Sequence, residues 1–190
     1  MIQYTTIQRV LSALKLETND RETVAAIGFE ITNATDTAIQ IMGFAFGGDT
    51  AVYYVDGPGY TMLYLPAPGA LDVASVSENG VTLDPASYHV EARLGRYLMR
   101  LDSLSNPTWW TANARSIAVT MTPNVHPPAV ERVVLEETVK AWNAKEAGYP
   151  QVVGVQGSNA RVVRSSFSPE SVATLERIAG RYNIRDTIAI

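Results

Sequence analysis

The 190-residue sequence contains no cysteine and only two histidines, His89 and His126. The absence of thiols excludes disulfide bonds, thiolate metal sites and a cysteine nucleophile, and two histidines offer little basis for a histidine metal cage. No run of about 18 apolar residues is present, so no membrane-spanning helix is predicted. The first residues also lack the basic and then apolar order of a secretory signal. We therefore expect a globular chain without cofactor, metal or membrane contact.

Catalytic motifs are missing as well. The segment 154–158 comes nearest to a Gly-x-Ser-x-Gly nucleophile elbow, but it lacks the strand–turn–helix context of that motif. Gly57-Pro58-Gly59 precedes a predicted strand, so it cannot direct the amides of a helix at a phosphate. No two carboxylates are placed by their spacing as an acid–base pair. The sequence predicts no catalytic residue, and a small hydrolase is retained only as an alternative.

The formal net charge of -4 is unevenly distributed. Residues 1–150 hold ten basic and sixteen acidic side chains, whereas residues 151–190 hold five arginines and three acids, a balance of +2. A cationic end on an acidic body suits contact with nucleic acid or with an acidic protein surface. A balance of +2 is also what ordinary solvated surface carries, and both interpretations stay open.

Helices are predicted on both sides of a block of short strands. Residues 5–16 follow a Thr5 capping box, residues 20–42 follow an Asn19 cap, and residues 127–146 follow a Pro-Pro entry. Ser168-Pro169-Glu170 predicts the start of a final helix.

The helix at 127–146 has an unusual pattern. Its polar residues form one narrow strip, and apolar residues cover most of the remaining surface: Arg132, Glu136, Lys140 and Asn143 against Val130, Val133, Val134, Leu135, Val139, Ala141 and Trp142. A surface helix usually has an apolar stripe of only about 100°. We expect burial on two sides, by the chain itself and by a neighbouring copy. The alternative is a central helix inside one domain.

Between residues 51 and 122 the apolar period changes to two, which predicts six or seven short antiparallel strands. Three hairpins are expected, through Asp56–Gly59, through Asn79-Gly80 and around residues 93–96. The polar loop 103–113 carries Trp109 and Trp110, of which we expect one to contact the sheet and one to be exposed. The predicted class is therefore α+β, a helical bundle with an antiparallel sheet or sandwich inserted between its second and third helices.

The last 40 residues are predicted to form a separate piece, 151–190, behind a domain of residues 1–150. Residues 151–158 are typical of a loop or extended arm, and residues 160–164 of a short strand. The apolar end, 184–190, has no cap. Such an end requires a groove in this chain or in another.

Several short motifs occur in a distinctive order: Tyr54–Gly57, Leu63–Pro66, Val73–Val76 with Gly80, Tyr88–Val90, Ile117–Met121 and Pro127–Trp142. In this order and spacing the chain resembles the head–tail connector (adaptor, or head-completion) proteins of tailed bacteriophages. The resemblance covers residues 1–146, and residues 168–185 are weakly similar to the closing helix of that family. Two departures are Met121-Thr122-Pro123-Asn124, where the family has an aromatic residue followed by glycine, and the long arm 151–166.

The resemblance implies a structural virion protein without catalysis, in the neck between head and tail, assembled in the host cytoplasm. It implies a ring, a dodecamer matching the portal, through which DNA passes without specific binding. It also implies a portal-binding C-terminal segment: Arg181, Tyr182, Ile184, Arg185, Ile188 and Ile190. The expected face toward the tail or a stopper protein comprises Asp56, Pro58, Tyr60, Trp109 and Trp110. The alternative is a monomeric α+β binding domain or small hydrolase.

Overall fold

The computed structural model describes residues 2–18, 20–91, 93–146 and 167–182. The chain divides into a helical unit, Met1–Gly43 with Pro127–Ile178, and a β unit, Phe44–His126 with Ala179–Ile190. The predicted α+β class is confirmed by the helices and antiparallel sheets. None of the helices in the described ranges combines the length and apolar character needed to cross a membrane. The predicted boundary at residue 150 and the strand at 160–164 lie outside the described residues.

The helices are α1 (Ile7–Leu14), α2 (Arg21–Met42), α3 (Pro128–Glu146) and α4 (Pro169–Tyr182). All four predicted helices are present, but two caps are shifted by one residue. Thr6 rather than Thr5 accepts the bond from the Arg9 amide, at 3.3 Å, and the Thr5 side chain is buried. Asp20 rather than Asn19 caps α2, and its Oδ2 accepts from the Thr23 amide and hydroxyl at 2.8 and 2.7 Å.

The core of the helical unit is formed by apolar side chains of α1, α2 and α3. Its buried centre is Val10, Ile27, Ile31 and Trp142. The predicted polar strip of α3 is exposed, at Arg132, Glu136, Lys140 and Asn143. The opposite residues Val130, Val133 and Val134 are buried within the chain itself. The chain thus covers most of this helix, as in the alternative of a central helix, and a second copy is not needed to bury it.

The β unit contains seven strands among the described residues: β1 (Ala51–Val55), β2 (Met62–Tyr64), β3 (Ala70–Glu78), β4 (Val81–Thr82), β5 (Tyr88–Val90), β6 (Tyr97–Arg100) and β7 (Ile117–Pro123). They form two antiparallel sheets, one in the order β1-β7-β3-β4 and the other in the order β2-β6-β5. Alternate residues of β7, namely Ile117, Val119 and Met121, are buried against Leu63 and Leu98 of the second sheet. The block is a small β-sandwich.

Two of the three predicted hairpins are confirmed. Strands β3 and β4 pair through Asn79 and Gly80, whose φ values of 52° and 80° suit a tight two-residue turn, and β5 pairs with β6. The prediction of a hairpin through Asp56–Gly59 is wrong. Strand β1 pairs with β7, and β2 pairs with β6 in the other sheet. The connecting loop bonds instead to the loop before β7, where the Gly57 amide donates to the Asn113 carbonyl at 2.8 Å.

Candidate functional site

The two loops expected to face the tail lie side by side in the β unit. The Trp110 amide donates to the Tyr60 carbonyl at 3.1 Å, next to the bond between Gly57 and Asn113. The Asp56 carboxylate accepts from the Arg115 amide at 2.7 Å. Loop 56–60 and loop 103–113, far apart in sequence, therefore form one surface.

Close approach of these loops requires glycine at position 57. A Cβ on Gly57 would overlap the Thr111 carbonyl oxygen, so any side chain at this position would push the loops apart. Gly59 has a φ of 69°, a left-handed conformation that favours glycine, and a Cβ there would lie 2.9 Å from the Cβ of Ala112. The glycines of the Gly-Pro-Gly motif therefore permit loop contact.

Glu78 at the end of β3 holds the tryptophan loop in place. Its Oε1 accepts from the Thr111 amide and hydroxyl at 2.7 and 2.8 Å, and its Oε2 accepts from Arg100 Nε at 3.2 Å. Burial by itself would raise the pKa of this carboxyl, but the donors from Thr111 and Arg100 outweigh burial and hold the pKa below its ordinary value of 4.5. Glu78 is thus a charged structural acceptor near neutral pH.

Arg100 and Asp102 order the rest of this loop. The Arg100 guanidinium donates to the carbonyls of Ser87 and Leu101, both at 2.8 Å, and lies 5.7 Å from the centre of the Trp110 ring. Asp102 Oδ1 accepts from the amides of Leu104 and Asn106 at 2.8 and 2.9 Å. The hydrogen bonds from these backbone amides lower the pKa of Asp102. The loop is fixed by specific polar contacts at both ends.

The two tryptophans have opposite environments, as expected. Trp110 is 2% exposed and belongs to the sandwich core, whereas Trp109 is 73% exposed. Trp110 therefore anchors the loop and cannot itself be part of a docking surface, while Trp109 is available. Of the other expected tail-side residues, Asp56 and Tyr60 are exposed and Pro58 is partly buried.

Sequence reasoning missed two exposed apolar residues near these loops. Leu104 is 79% exposed, in the same loop as Trp109. Tyr54 on β1 is 60% exposed, and the Arg115 guanidinium lies 5.2 Å from its ring centre. A leucine between serines in an otherwise polar loop was the available signal for Leu104. For Tyr54 the signal was the alternation of the strand.

The expected portal-binding residues are described only in part. The Arg181 carbonyl accepts from Arg96 Nη1 at 2.9 Å. The Tyr182 ring packs edge-on against Phe46, with centroids 4.9 Å apart, and near Phe44. These contacts lie within the β unit, to which the last residues of α4 belong. The other four residues lie outside the described residues: Ile184, Arg185, Ile188 and Ile190.

Glu91 is another acidic residue that acts as a structural acceptor. Glu91 accepts from the amides of Arg93, Leu94 and Arg96 at 3.0 to 3.3 Å, and these bonds outweigh burial and lower its pKa. His89 is exposed on β5. Within the described ranges no group of three or more metal-ligating side chains is placed to hold an ion.

No protein-family model matches the chain, and no curated protein matches it. Solved structures do match. A chain in a structure described as the neck of an empty GTA particle computed with C6 symmetry has a TM-score of 0.53 and 14% identity, covering 90% of this chain and 87% of that chain. A chain in the neck of a native GTA particle computed with C12 symmetry has a TM-score of 0.52 and 11% identity, covering 81% of each.

A third match lies in the virion of a native gene transfer agent (GTA) particle, with a TM-score of 0.53, 11% identity and coverage of 93% of this chain and 88% of that chain. All three matches extend over both the helical and the β parts of the sequence, because each covers at least four fifths of the chain. The chain has the fold of these neck and virion chains.

Proposed function

We propose that this protein is a structural subunit of the neck of a phage-like particle, where it joins the portal of the head to the tail. The observation that carries the proposal is the fold shared with chains of two neck structures over 81 to 90% of the sequence. The order of motifs from Tyr54 to Trp142 supports the same conclusion independently, because the sequence alone resembles head–tail connector proteins.

In this role the subunits form a closed ring of twelve that extends the DNA channel. The matched necks were computed with C6 and C12 symmetry, and a twelve-fold ring is compatible with both. DNA must slide through the ring, so strong phosphate-binding clusters would hinder it. The acidic chain, with a net charge of -4, fits a lumen without specific DNA binding. The site of action is the virion neck, after assembly in the host cytoplasm.

Two surfaces of the subunit have different partners in this proposal. Loops 56–60 and 103–113 face the tail or a stopper protein, with Asp56, Pro58, Tyr60 and Trp109 in contact. Trp110 anchors loop 103–113 in the sandwich core. The end of α4 and the residues after it bind the portal: Arg181, Tyr182, Ile184, Arg185, Ile188 and Ile190. The alternating apolar residues of the segment after α4 support this, since they need a partner surface.

The role is structural and not enzymatic. Glu78, Glu91 and Glu137 each have a lowered pKa and accept hydrogen bonds that hold loops or helices. A catalytic general acid at neutral pH needs a raised pKa instead. No observation favours the alternative of a small hydrolase.

Reconstitution with the portal of the same particle tests this proposal. The full chain is expected to form a ring on the portal that is visible by electron microscopy. A chain lacking residues 184–190 is expected to keep its circular dichroism spectrum but lose attachment. Failure of the full chain to bind portal would refute the function. Full attachment of the truncated chain would refute only the assignment of the portal-binding segment.

The tail-side face is tested with rings already bound to portal. Trp109→Ala should leave ring formation intact and reduce recruitment of the next neck or tail component. Val81→Ala is the matched control, because Val81 is 67% exposed on β4, comparable with the 73% of Trp109. Equal recruitment by both variants would remove Trp109 from the proposed interface.

A further inference from the structure

Among the described residues, strand β1 is the longest of the strands that end a sheet. It has five residues and pairs only with β7, at one end of the order β1-β7-β3-β4. The other edge strands are shorter: β4 has two residues, and β2 and β5 have three each. Among the described residues, the backbone groups of 51–55 bond to no segment besides β7. With respect to the part of the chain that the structure describes, the outer edge of β1 therefore offers unused donors and acceptors.

This edge lacks the features that usually prevent further pairing. Natural edge strands are protected by shortness, lysine, proline or a bulge. Ala51–Val55 contains no lysine or proline, and its register with β7 is continuous. Val52 and Tyr54 are 51% and 60% exposed on its outer face. An edge of this kind is suited to accept an added strand.

We propose that β1 accepts residues 151–164 of a neighbouring copy as an additional strand. This inference rests on the proposed ring and gives the contact that links adjacent subunits. A closed ring requires two different complementary surfaces on each subunit. The edge of β1 is one surface and the segment 151–164 is the other.

The composition of residues 151–166 fits this edge. The segment contains five valines and no proline, namely Val152, Val153, Val155, Val162 and Val163. β-Branched residues favour strands and pack well on a pleated surface. The valines can cover Val52 and Tyr54, which are otherwise exposed to water.

The charges of the two surfaces are complementary. Residues 151–166 carry Arg161 and Arg164 and no acid. Residues 22–92, which include β1, carry nine acids and no lysine or arginine. Asp49 and Asp56 flank β1 and are exposed. The Arg115 guanidinium, which lies over the Tyr54 ring, places one positive charge near β1. The two aspartates still outnumber it. A basic strand is therefore favoured.

Charge also disfavours the β1 strand of a second copy as the occupant. Antiparallel self-pairing of Ala51–Val55 would bring Asp49 of one copy next to Asp56 of the other. Like charges at opposing positions destabilise a strand pair.

The absence of cysteine from the chain allows a direct test by disulfide trapping. A Val52→Cys chain is mixed with a chain carrying one cysteine at 152, 153, 155, 162 or 163, assembled on the portal and oxidised. A covalent dimer is expected for at least one of these mixtures. Val81→Cys, on β4 and similarly exposed, is the control and should give none. Equal trapping at Val81, or a dimer of Val52→Cys chains alone, would overturn the proposal.

Two further experiments make the result decisive. A double variant that forms the disulfide within a single chain would show that the segment pairs in cis and would refute exchange between copies. Val52→Lys with Tyr54→Lys should keep the melting temperature of the subunit and weaken ring assembly by about tenfold, whereas Val81→Lys should not. If rings form on the portal but trapping fails, only the strand exchange is refuted. If no ring forms on the portal, the proposed function and the strand exchange both fail.

Discussion

Glu137 in the helical unit and Glu78 in the β unit are largely buried carboxylates that bind segments more than 30 residues later in the chain. Glu137 Oε1 accepts from Ser171 Oγ at 2.6 Å and Ser168 Oγ at 3.0 Å, which attaches the first turn of α4 to α3. Glu78 accepts from the amide and hydroxyl of Thr111 and thereby holds the tryptophan loop. In both units an ionised side chain connects distant parts of the sequence.

The two carboxylates differ in the kind of donor they use. Three side chains donate to Glu137, and Lys140, at 2.8 Å, lies only three residues away on the same helix. Glu78 takes its shortest bond from a backbone amide. In both cases burial would raise the pKa and the donors outweigh it, so that each pKa lies below 4.5. Lys140 can be predicted as a partner of Glu137 from its helical spacing in the sequence. A backbone amide donor cannot be predicted in this way, because every residue type except proline carries one.

The largest effect is expected from the pair of tryptophans. Trp110→Ala should lower the free energy of unfolding by about 3–5 kcal/mol, because it leaves a cavity in the sandwich core. Trp109→Ala should change it by less than about 0.5 kcal/mol, since that ring is exposed. Urea denaturation measures both. Similar values for the two variants would contradict the assignment of one buried and one exposed ring.

A smaller effect is expected from two glycines with similar backbone angles. Gly95 has a φ of 55°, and a Cβ there would overlap the Ala70 carbonyl; Gly80 has a φ of 80° and open space around it. Gly95→Ala should cost about 3 kcal/mol through strain and overlap. Gly80→Ala should cost only about 1 kcal/mol, from the backbone conformation. Thermal unfolding separates them, and an equal loss would show that the β5–β6 loop does not pack against Ala70.

The buried carboxylates predict a dependence of stability on pH. Glu137→Gln and Glu78→Gln should each lower the free energy of unfolding by about 1–3 kcal/mol at pH 7, because bonds to a charged acceptor are weakened. A carboxyl whose pKa is lowered on folding stabilises above its unfolded value of 4.5, and this contribution is lost as pH falls through the folded value. The gap between wild type and variant should therefore shrink below pH 4.5.

Denaturation curves between pH 3 and 7 measure this gap. Glu136→Gln is the control, since Glu136 is exposed on the same helix as Glu137, and its curve should follow that of the wild type. A constant gap at all pH values would mean that the two carboxylates stabilise by packing alone.

The smallest effect is expected on the polar strip of α3. Arg132 Nε lies 3.8 Å from Glu136 Oε1, with side chains 69% and 53% exposed. An exposed pair at this helical spacing contributes at most about 0.5 kcal/mol. Arg132→Ala should hardly change the midpoint of urea unfolding. A loss above 1 kcal/mol would show that this strip is covered by something in the assembled state.

Local signals predicted the helical unit closely, and the β unit only in part. The apolar stripe of α2, the proline entry of α3 and the start of α4 at Ser168-Pro169 depend on neighbours three or four residues apart. The Asn79-Gly80 turn also depends only on neighbouring residues. The partner strand of β1 could not be predicted from neighbours, since Tyr53 pairs with Val119 66 positions later. The turn-like motif after β1 suggested a hairpin, but Gly57 of this motif instead allows the Thr111 backbone to approach.

The candidate surfaces, too, could be predicted only in part from the sequence. The sequence identified the two loops, and the expectation of one buried and one exposed tryptophan is confirmed. It could not indicate which ring would be buried, because that depends on where Glu78 and Arg100 hold the loop. The exposure of Leu104 likewise follows from the turn that Asp102 makes.

The sequence by itself determined the helices, the strand alternation, the α+β class and the absence of thiol chemistry, because each depends on residue type and short-range periodicity. Tertiary structure alone decided that β1 belongs to a different sheet from β2, that the loops 56–60 and 103–113 meet, and that β1 is an end strand of its sheet among the described residues. These features depend on contacts between residues tens of positions apart. Pattern within a strand specifies which face is buried, but not which strand lies beside it.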